Sequence, residues 1–292
     1  MERRPSVTGA TRLAAVIGDP VRHSLSPTLL GAAFAETGLD WAYVALEVAE
    51  GAAVRALDGM AALGISGLSV TMPHKSAIAA AVDRCTEDAG ALNAVNCVVV
   101  EDGELVGYNT DGGGFLDGLE RDAGLDVAGR SVVVLGAGGA ARAVVRALAG
   151  AGATEVVVAN RTIEGAEVAA LLAGEAGRPL GLSTEGGNPA LAEALDGAAL
   201  VVNATSVGMD GIAVDAQPVD STFVNFDAVA VDLIYHPVET VWMTALRKRG
   251  VEVHGGLSML VCQAARAFTL WTGVQAPVAA MDAAARAALA GR

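Results

Sequence analysis

Short apolar runs alternate with stretches of helical spacing along the whole chain. Leu13–Ile17 is continuously apolar, is stopped by Gly18-Asp19-Pro20, and predicts a strand. Pro27–Thr37 predicts a helix with Pro27 in the first position and Ser26 as its N-cap. Tyr43–Glu47 and Gly67–Thr71 predict strands, the second stopped by Pro73, with a helix over Ala52–Leu63 between them. Ala77–Val82 predicts a short helix. Asn96–Val100 and Glu104–Tyr108 flank Asp102-Gly103, a two-residue signal for a tight hairpin.

After Asp111 the texture changes. Gly113–Arg121 has helical spacing, and Ser131–Leu135 is an unbroken apolar run of the kind buried on both faces of a parallel sheet. Gly139–Ala149 predicts a helix, Glu155–Ala159 a strand and Ala166–Ala173 a helix. Residues 174–189 are rich in Gly and Pro and give no clear element. Leu200–Asn203, Ala230–Leu233 and Val251–Val253 predict further strands, and beyond Gly255-Gly256 the pattern is mostly helical. The first ten residues read as a loose tail. Such alternation implies βαβ units around an open parallel sheet. The expected fold is therefore α/β with two domains, one over 111–255 and the other over 1–110 and 256–292.

Composition narrows the function. The chain has 292 residues, 53% of them hydrophobic and 18% charged, which is too apolar for a disordered protein. Its formal charge of −14 argues against nucleic acid and anionic membranes as partners, because both demand a basic patch. A small anionic substrate needs only a local site. Cys85, Cys97 and Cys262 have no CxxC pattern and no His at ligand spacing, so no metal site is expected. They read as reduced thiols of a cytoplasmic protein. The apolar run near the N-terminus is too short for a signal-peptide core, and none approaches the roughly 18 residues of a membrane span. Of the 19 basic residues only Lys75 and Lys248 are lysine, which marks Lys75 as a candidate titratable amine.

Ser131–Leu135 runs into Gly136-Ala137-Gly138-Gly139-Ala140-Ala141 and then a helix. This fits the dinucleotide fingerprint G-x-G-x-x-G/A, with Ala141 in the third place. The glycines permit a tight turn and let backbone N–H groups approach a pyrophosphate, and the helix N-terminus favours that anion. The next strand ends at Asn160-Arg161-Thr162. An Asp or Glu there would bond the ribose of NAD, whereas neutral Asn160 with Arg161 suits the 2′-phosphate of NADP. In the first domain, four polar clusters interrupt the apolar pattern. They are His23–Pro27, Thr71–Lys75, Asn93–Asn96 and Asn109–Asp111. Each lies at a strand end or helix start, where α/β proteins carry their sites. Hydroxyls, amides, one ammonium and one carboxylate suit a polyhydroxylated anion. Singly, each group also has a plain structural role: Ser24 and Ser26 as capping groups, Thr71 at a strand end, His23 and His74 as packing or surface groups, Asn109 and Asp111 in an Asx-turn.

With these residues in view, the chain resembles the shikimate dehydrogenase (shikimate/quinate dehydrogenase) family from about Val16 to Gly273. The matching pieces, in family order, are VIGDPVRHSLSP, GLSVTMPHK, NAVN, GYNTDGGGF, VLGAGGAARA, ANRT, NATSVGM, DLIY and GLSMLVCQAARAFTLWTG. The resemblance implies a substrate-binding catalytic domain (1–110 and 256–292), a Rossmann-type NADP-binding domain (111–255) and an active site in the cleft between them. It implies that Ser24 and Ser26 bind the substrate carboxylate. Thr71, Lys75, Asn96 and Asp111 would bind ring hydroxyls, Gln263 would close on the ring, and Tyr235 would lie near carboxylate and cofactor. Gly136, Ala137, Gly138, Gly139 and Ala140 would line the pyrophosphate. Asn160, Arg161 and Thr162 would clasp the 2′-phosphate, with Thr205 and Gly256 completing the cofactor site. One position departs from the pattern. Many NADP-using members carry a second arginine four residues after that of NRT, where this chain has Gly165.

The implied reaction is NADPH-dependent reduction of 3-dehydroshikimate to shikimate, on the route to chorismate and the aromatic amino acids. Lys75 would give or take the proton, as general acid–base or as electrostatic stabiliser, and Asp111 would orient it. A quinate/shikimate or aminoshikimate dehydrogenase is the nearest alternative, although Ser26 rather than Thr leans toward shikimate. A non-catalytic NADP(H) sensor is a distant one, since it would not need both Lys75 and Asp111. The expected partner is the small-molecule substrate alone, with the chain a monomer or homodimer. Gly112–Gly114 and Gly255-Gly256 are the expected flexible points.

Overall fold

The computed structural model describes residues 7–182 and 188–291. The tail expected over the first ten residues falls partly outside them, as do residues 183–187 of the Gly/Pro-rich stretch. The chain divides into two compact units, Met1–Thr110 with Val261–Arg292, and Asp111–Leu260.

The first unit opens with strand β1 (Arg12–Gly18), helix α1 (Ser26–Thr37), β2 (Trp41–Glu47), α2 (Ala53–Leu63), β3 (Gly67–Val70) and α3 (Lys75–Ala79). There follow β4 (Arg84–Cys85), α4 (Glu87–Leu92), β5 (Cys97–Glu101) and β6 (Glu104–Tyr108). The sheet order is β2-β1-β3-β5-β6-β4. β1 runs parallel to β2 and β3, while β5 is antiparallel to both β3 and β6. The β5–β6 hairpin turns where the sequence signalled it. Asp102 (φ 50°) and Gly103 (φ 89°) both take the left-handed conformation that such a turn requires. Ala15, Ile17, Leu68, Val70 and Val98 bury one face of the sheet against Leu57 and Met60 of α2.

The second unit contains α5 (Asp111–Ala123), β7 (Ser131–Leu135), α6 (Gly139–Gly150), β8 (Glu155–Asn160), α7 (Ile163–Ala170), β9 (Gly177–Gly181) and α8 (Pro189–Gly197). It continues through β10 (Leu200–Asn203), β11 (Val229–Asp232), α9 (Val241–Lys248) and β12 (Glu252–Gly255) into α10 (Leu257–Thr272). α10 spans the division between the units, and α11 (Val278–Ala290) belongs to the first. The sheet order is β12-β11-β10-β7-β8-β9, with every pairing parallel. Val132 and Val134 pack among α5 and α6, while Val133 and Leu135 pack among α8 and α9. Burial on both faces explains why β7 has no polar alternation. From β7 the strand order runs one way to β9 and the other way to β12. The C-terminal ends of β7 and β10 therefore flank the topological switch point, where open α/β sheets bind ligands.

Returning to the first unit, Trp271 of α10 donates its indole N–H to the Val98 carbonyl at 3.0 Å and lies over Gly67. A Cβ at Gly67 would come within 2.5 Å of the indole ring, so only glycine admits this packing.

Candidate active site

At one end of the first sheet, β1 finishes beside β3 and the start of β5. Gly18 makes this approach feasible: a Cβ there would lie 2.5 Å from Thr71 Cγ2 and 3.2 Å from the Met72 carbonyl oxygen. The Thr71 N–H donates to the Ile17 carbonyl (3.0 Å), and the Asp19 N–H donates to the Met72 carbonyl (3.0 Å). His74 is 2% exposed, and its Nε2 bonds the Val48 carbonyl at 2.7 Å. It anchors the turn that delivers Lys75 to the first position of α3. The Lys75 carbonyl accepts from the Val95 N–H at 3.0 Å, and the Asn96 carbonyl accepts from Val70 at 2.8 Å. Buried Asn96 accepts from the Thr110 N–H through Oδ1 (2.8 Å) and donates through Nδ2 to Thr110 Oγ1 (3.0 Å). Thr71, Lys75 and Asn96 are thus held on one end of one sheet by backbone bonds.

The Ser-x-Ser segment differs from its expected form. Ser26 is the first residue of α1, not its N-cap; Leu25 holds the cap position in helical conformation, and no side chain caps the helix. The Ser26 N–H instead donates to Ser24 Oγ at 3.2 Å. Both serines are half-buried. Gln263 lies on α10, the helix that Trp271 fastens to β5.

In the second unit, Gly136 takes φ +106°. A Cβ there would meet the Ala204 carbonyl oxygen at 2.9 Å and Thr205 Cγ2 at 3.2 Å. This glycine is required by both conformation and space. Nothing lies within 4 Å of where a Cβ would stand on Gly138 or Gly139, both exposed at the N-terminus of α6. Ala141, the third fingerprint position, is fully buried. At the end of β8, Asn160 donates through Nδ2 to the Thr162 carbonyl (3.1 Å) and to Thr162 Oγ1 (3.0 Å), while Arg161 is exposed. A Cβ at Gly165 would come within 2.6 Å of Asn160 Nδ2 and 2.9 Å of Thr162 Oγ1. Asp111 opens α5 and is 8% exposed. Gly112–Gly114 lie inside α5, and a Cβ at Gly112 would be 2.7 Å from the Ala143 carbonyl oxygen of α6. Gly112, within the stretch expected as a flexible point, sits in close packing of α5 on α6. At Gly256 a Cβ would overlap the Leu233 carbonyl, just past the end of β11. Tyr235 follows β11 in the loop that leads to α9.

The chain is similar to known proteins over nearly its whole length. Residues 16–98 match the profile of the shikimate dehydrogenase substrate binding domain, 119–207 that of shikimate / quinate 5-dehydrogenase, and 256–286 that of the shikimate 5′-dehydrogenase C-terminal domain. A shikimate dehydrogenase (NADP(+)) of Moorella thermoacetica is 47% identical over 284 residues, covering 97% of this chain and 95% of that one. The chain belongs to the shikimate dehydrogenase family. A shikimate dehydrogenase crystallised with NADP+ superposes with TM-score 0.89 at 38% identity, covering 97% of this chain and 98% of that one. The shikimate dehydrogenase of Thermus thermophilus, crystallised with NADP(H) and shikimate, superposes with TM-score 0.85 at 37% identity, covering 96% of this chain and 100% of that one. The two-domain α/β architecture with a Rossmann-type parallel sheet is that of the family.

Two residues of this family member escaped the sequence reading, although both stand in its quoted motifs. Asn203 and Asp232 end β10 and β11, are fully buried, and are paired in register. Asn203 Nδ2 donates to Asp232 Oδ1 at 2.9 Å. Burial pushes the Asp232 carboxyl above its ordinary range, against donors from Thr240, Ile234 and Asn203 that pull it down. Among the described residues, no group of three His, Cys, Asp or Glu side chains could hold a metal ion.

Proposed function

We propose that the protein is an NADP-dependent oxidoreductase catalysing 3-dehydroshikimate + NADPH + H+ ⇌ shikimate + NADP+, a step toward the aromatic amino acids. The observation that carries this reading is the gathering of Thr71, Lys75 and Asn96 at one sheet end, in a chain 47% identical to a shikimate dehydrogenase. That set offers a hydroxyl, an ammonium and an amide, as a ring with several hydroxyls requires.

The cofactor fits the second unit. Open space over Gly138 and Gly139 at a helix N-terminus suits a pyrophosphate. Gly136, Ala137 and Ala140 complete that turn. No carboxylate stands at the end of β8, where Asn160, Arg161 and Thr162 would hold a 2′-phosphate. Thr205, packed against the Gly136 turn, would extend this surface, and Gly256 would add to it. Bound NADPH supplies the hydride.

The chain's own residues bind, orient and move the proton. Ser24 and Ser26 would hold the carboxylate with their hydroxyls, and Tyr235 would add a phenolic O–H. Thr71, Asn96, Asp111 and Gln263 would pair with the ring hydroxyls. As the C3 carbonyl carbon is reduced, its oxygen gathers negative charge. The Lys75 ammonium gives that oxygen a proton, and the amine takes it back in oxidation. A wrong ring leaves buried polar groups unpaired at about 1–3 kcal/mol each, so selectivity follows from the hydrogen-bonding set. We place the enzyme in the cytoplasm, as a monomer or homodimer. The three cysteines form no disulfide with one another, and no described helix is long and apolar enough to cross a membrane.

The test is nicotinamide absorbance during oxidation of shikimate and of quinate, each with NADP+ and NAD+. Turnover confined to shikimate with NADP+ supports the proposal. Comparable rates with quinate or NAD+ would replace it with a broader quinate/shikimate activity.

A further inference from the structure

Asp232 is an acidic side chain with no exposed surface, at the end of β11 between β10 and β12. Its Oδ1 accepts from Asn203 Nδ2 (2.9 Å) and from the Ile234 N–H (3.1 Å), and its Oδ2 accepts from Thr240 Oγ1 (2.8 Å). Asn203, equally buried, turns its Oδ1 to Thr205, accepting from the N–H at 3.0 Å and from Oγ1 at 2.7 Å. Thr205 Oγ1 in turn accepts from the Val207 N–H at 3.1 Å. Thr240 Oγ1 accepts from the Met243 N–H at 3.2 Å and so caps α9. Buried polar groups of this kind rarely add stability over an apolar replacement of the same shape. They fix one geometry, and here that geometry belongs to two loops.

One loop leaves β10 as Ala204-Thr205 and lies against the glycine turn, with the Ala204 carbonyl oxygen 2.9 Å from where a Gly136 Cβ would stand. The other leaves β11 through Ile234 and Tyr235 and returns at Thr240. Its Ile234 carbonyl accepts from the Gly256 N–H at 3.1 Å. The bond between Asn203 and Asp232 joins the two loop roots through their side chains, beside the backbone bond from the Leu233 N–H to the Asn203 carbonyl at 2.9 Å.

We propose that Asn203 and Asp232 are a positioning pair for the cofactor, holding the Thr205 and Tyr235 loops in register against the Gly136 turn. Neither side chain touches the reacting atoms. The inference rests on the reading that this turn holds NADP(H), and wild-type binding of NADPH tests that reading separately.

The experiment measures NADPH affinity by nicotinamide fluorescence, steady-state constants with shikimate and NADP+, and thermal melting. Four variants are compared: Asn203→Ala, Asp232→Ala, Asp232→Asn and Asn225→Ala. Asn203→Ala and Asp232→Ala each remove three of these hydrogen bonds and should weaken NADPH binding about tenfold or more, with the KM for shikimate held within about twofold. Asp232→Asn keeps an oxygen for Asn203 and Ile234 and should restore binding to within about threefold of wild type. Asn225→Ala removes bonds to the Asp196 carbonyl and the Asp227 N–H before β11, outside this network, and should lower the melting temperature while leaving NADPH affinity unchanged. If Asn203→Ala does not fold, Asn203→Ser, with a shorter polar side chain, is read the same way. Wild-type NADPH affinity in a folded Asn203 variant would overturn the proposal. So would a loss in Asn225→Ala equal to that in Asn203→Ala, which would mark a purely structural role. Failure of the wild-type protein to bind NADPH would overturn the functional reading and this inference with it.

Discussion

Gly165→Ala separates the fold from the cofactor site. The new Cβ would stand 2.6 Å from Asn160 Nδ2 and 2.9 Å from Thr162 Oγ1, both far inside contact distance. Those two atoms are bonded to one another at 3.0 Å, and Nδ2 also bonds the Thr162 carbonyl at 3.1 Å. The Asn160 side chain can rotate away, so the fold survives and one or both bonds are lost. Each is a neutral hydrogen bond worth about 0.5–1.5 kcal/mol, and partial exposure places it toward the lower end. Alanine within α7 returns up to about 1 kcal/mol in helix propensity. Stability should therefore change by less than about 1 kcal/mol in either direction. Cofactor affinity has no such offset, because Asn160, Arg161 and Thr162 are the groups proposed to hold the 2′-phosphate. The KM for NADP+ should rise about 3- to 10-fold at saturating shikimate, while that for NAD+ barely moves. Gly165→Arg carries the same Cβ, so its extra positive charge should not improve NADP+ binding. Steady-state kinetics with both cofactors, alongside thermal melts, decide the matter. A variant that melts like wild type and binds NADP+ as well or better would refute the steric argument.

Other outcomes follow from the same geometry. Lys75→Ala should lower kcat by orders of magnitude with NADPH affinity nearly unchanged; near-normal turnover removes Lys75 from the proton step. Arg161→Ala should raise the KM for NADP+ about tenfold or more and leave NAD+ unaffected, since a charge-assisted bond to phosphate is lost. Gly136→Ala forces a non-glycine residue to φ +106° against the Ala204 carbonyl. It should cost about 1–3 kcal/mol in urea unfolding and weaken NADPH binding as well. The Asp232 carboxyl, raised by burial, adds stability only while protonated. That contribution is full below the ordinary carboxylate value of about 4 and is lost as pH rises through the higher folded-state value. The stability advantage of wild type over Asp232→Asn should therefore shrink as pH rises across that window, and a constant difference in urea unfolding would contradict it.

The sequence carried those elements whose cause is local. Asp102-Gly103 announces its hairpin because two consecutive left-handed residues leave few other choices. The run Val132–Leu135 announces a central strand because both its faces are buried. β9 was illegible because Gly177-Arg178-Pro179 breaks any strand pattern, and Pro179 is tolerated only at the sheet edge, where β9 lies. The short α4 and α9 each begin at a threonine cap, Thr86 and Thr240. Ser26 was misplaced by one position because Leu25 takes helical angles before the helix starts. In the site, Gly18, Gly136 and the Thr71–Lys75 turn could be found from strand-end punctuation. The Asn203–Asp232 pair could not, because its partners lie 29 residues apart and meet only through the register of β10 against β11. A polar residue closing an apolar run looks the same whether it faces solvent or another buried side chain.

Reduction of 3-dehydroshikimate by NADPH, with the product identified by mass spectrometry and NMR, tests the central claim most directly. The account predicts stoichiometric conversion to shikimate, one molecule for each NADPH consumed, and far slower reduction when NADH replaces NADPH. A folded protein that binds NADPH yet leaves 3-dehydroshikimate unchanged would contradict it.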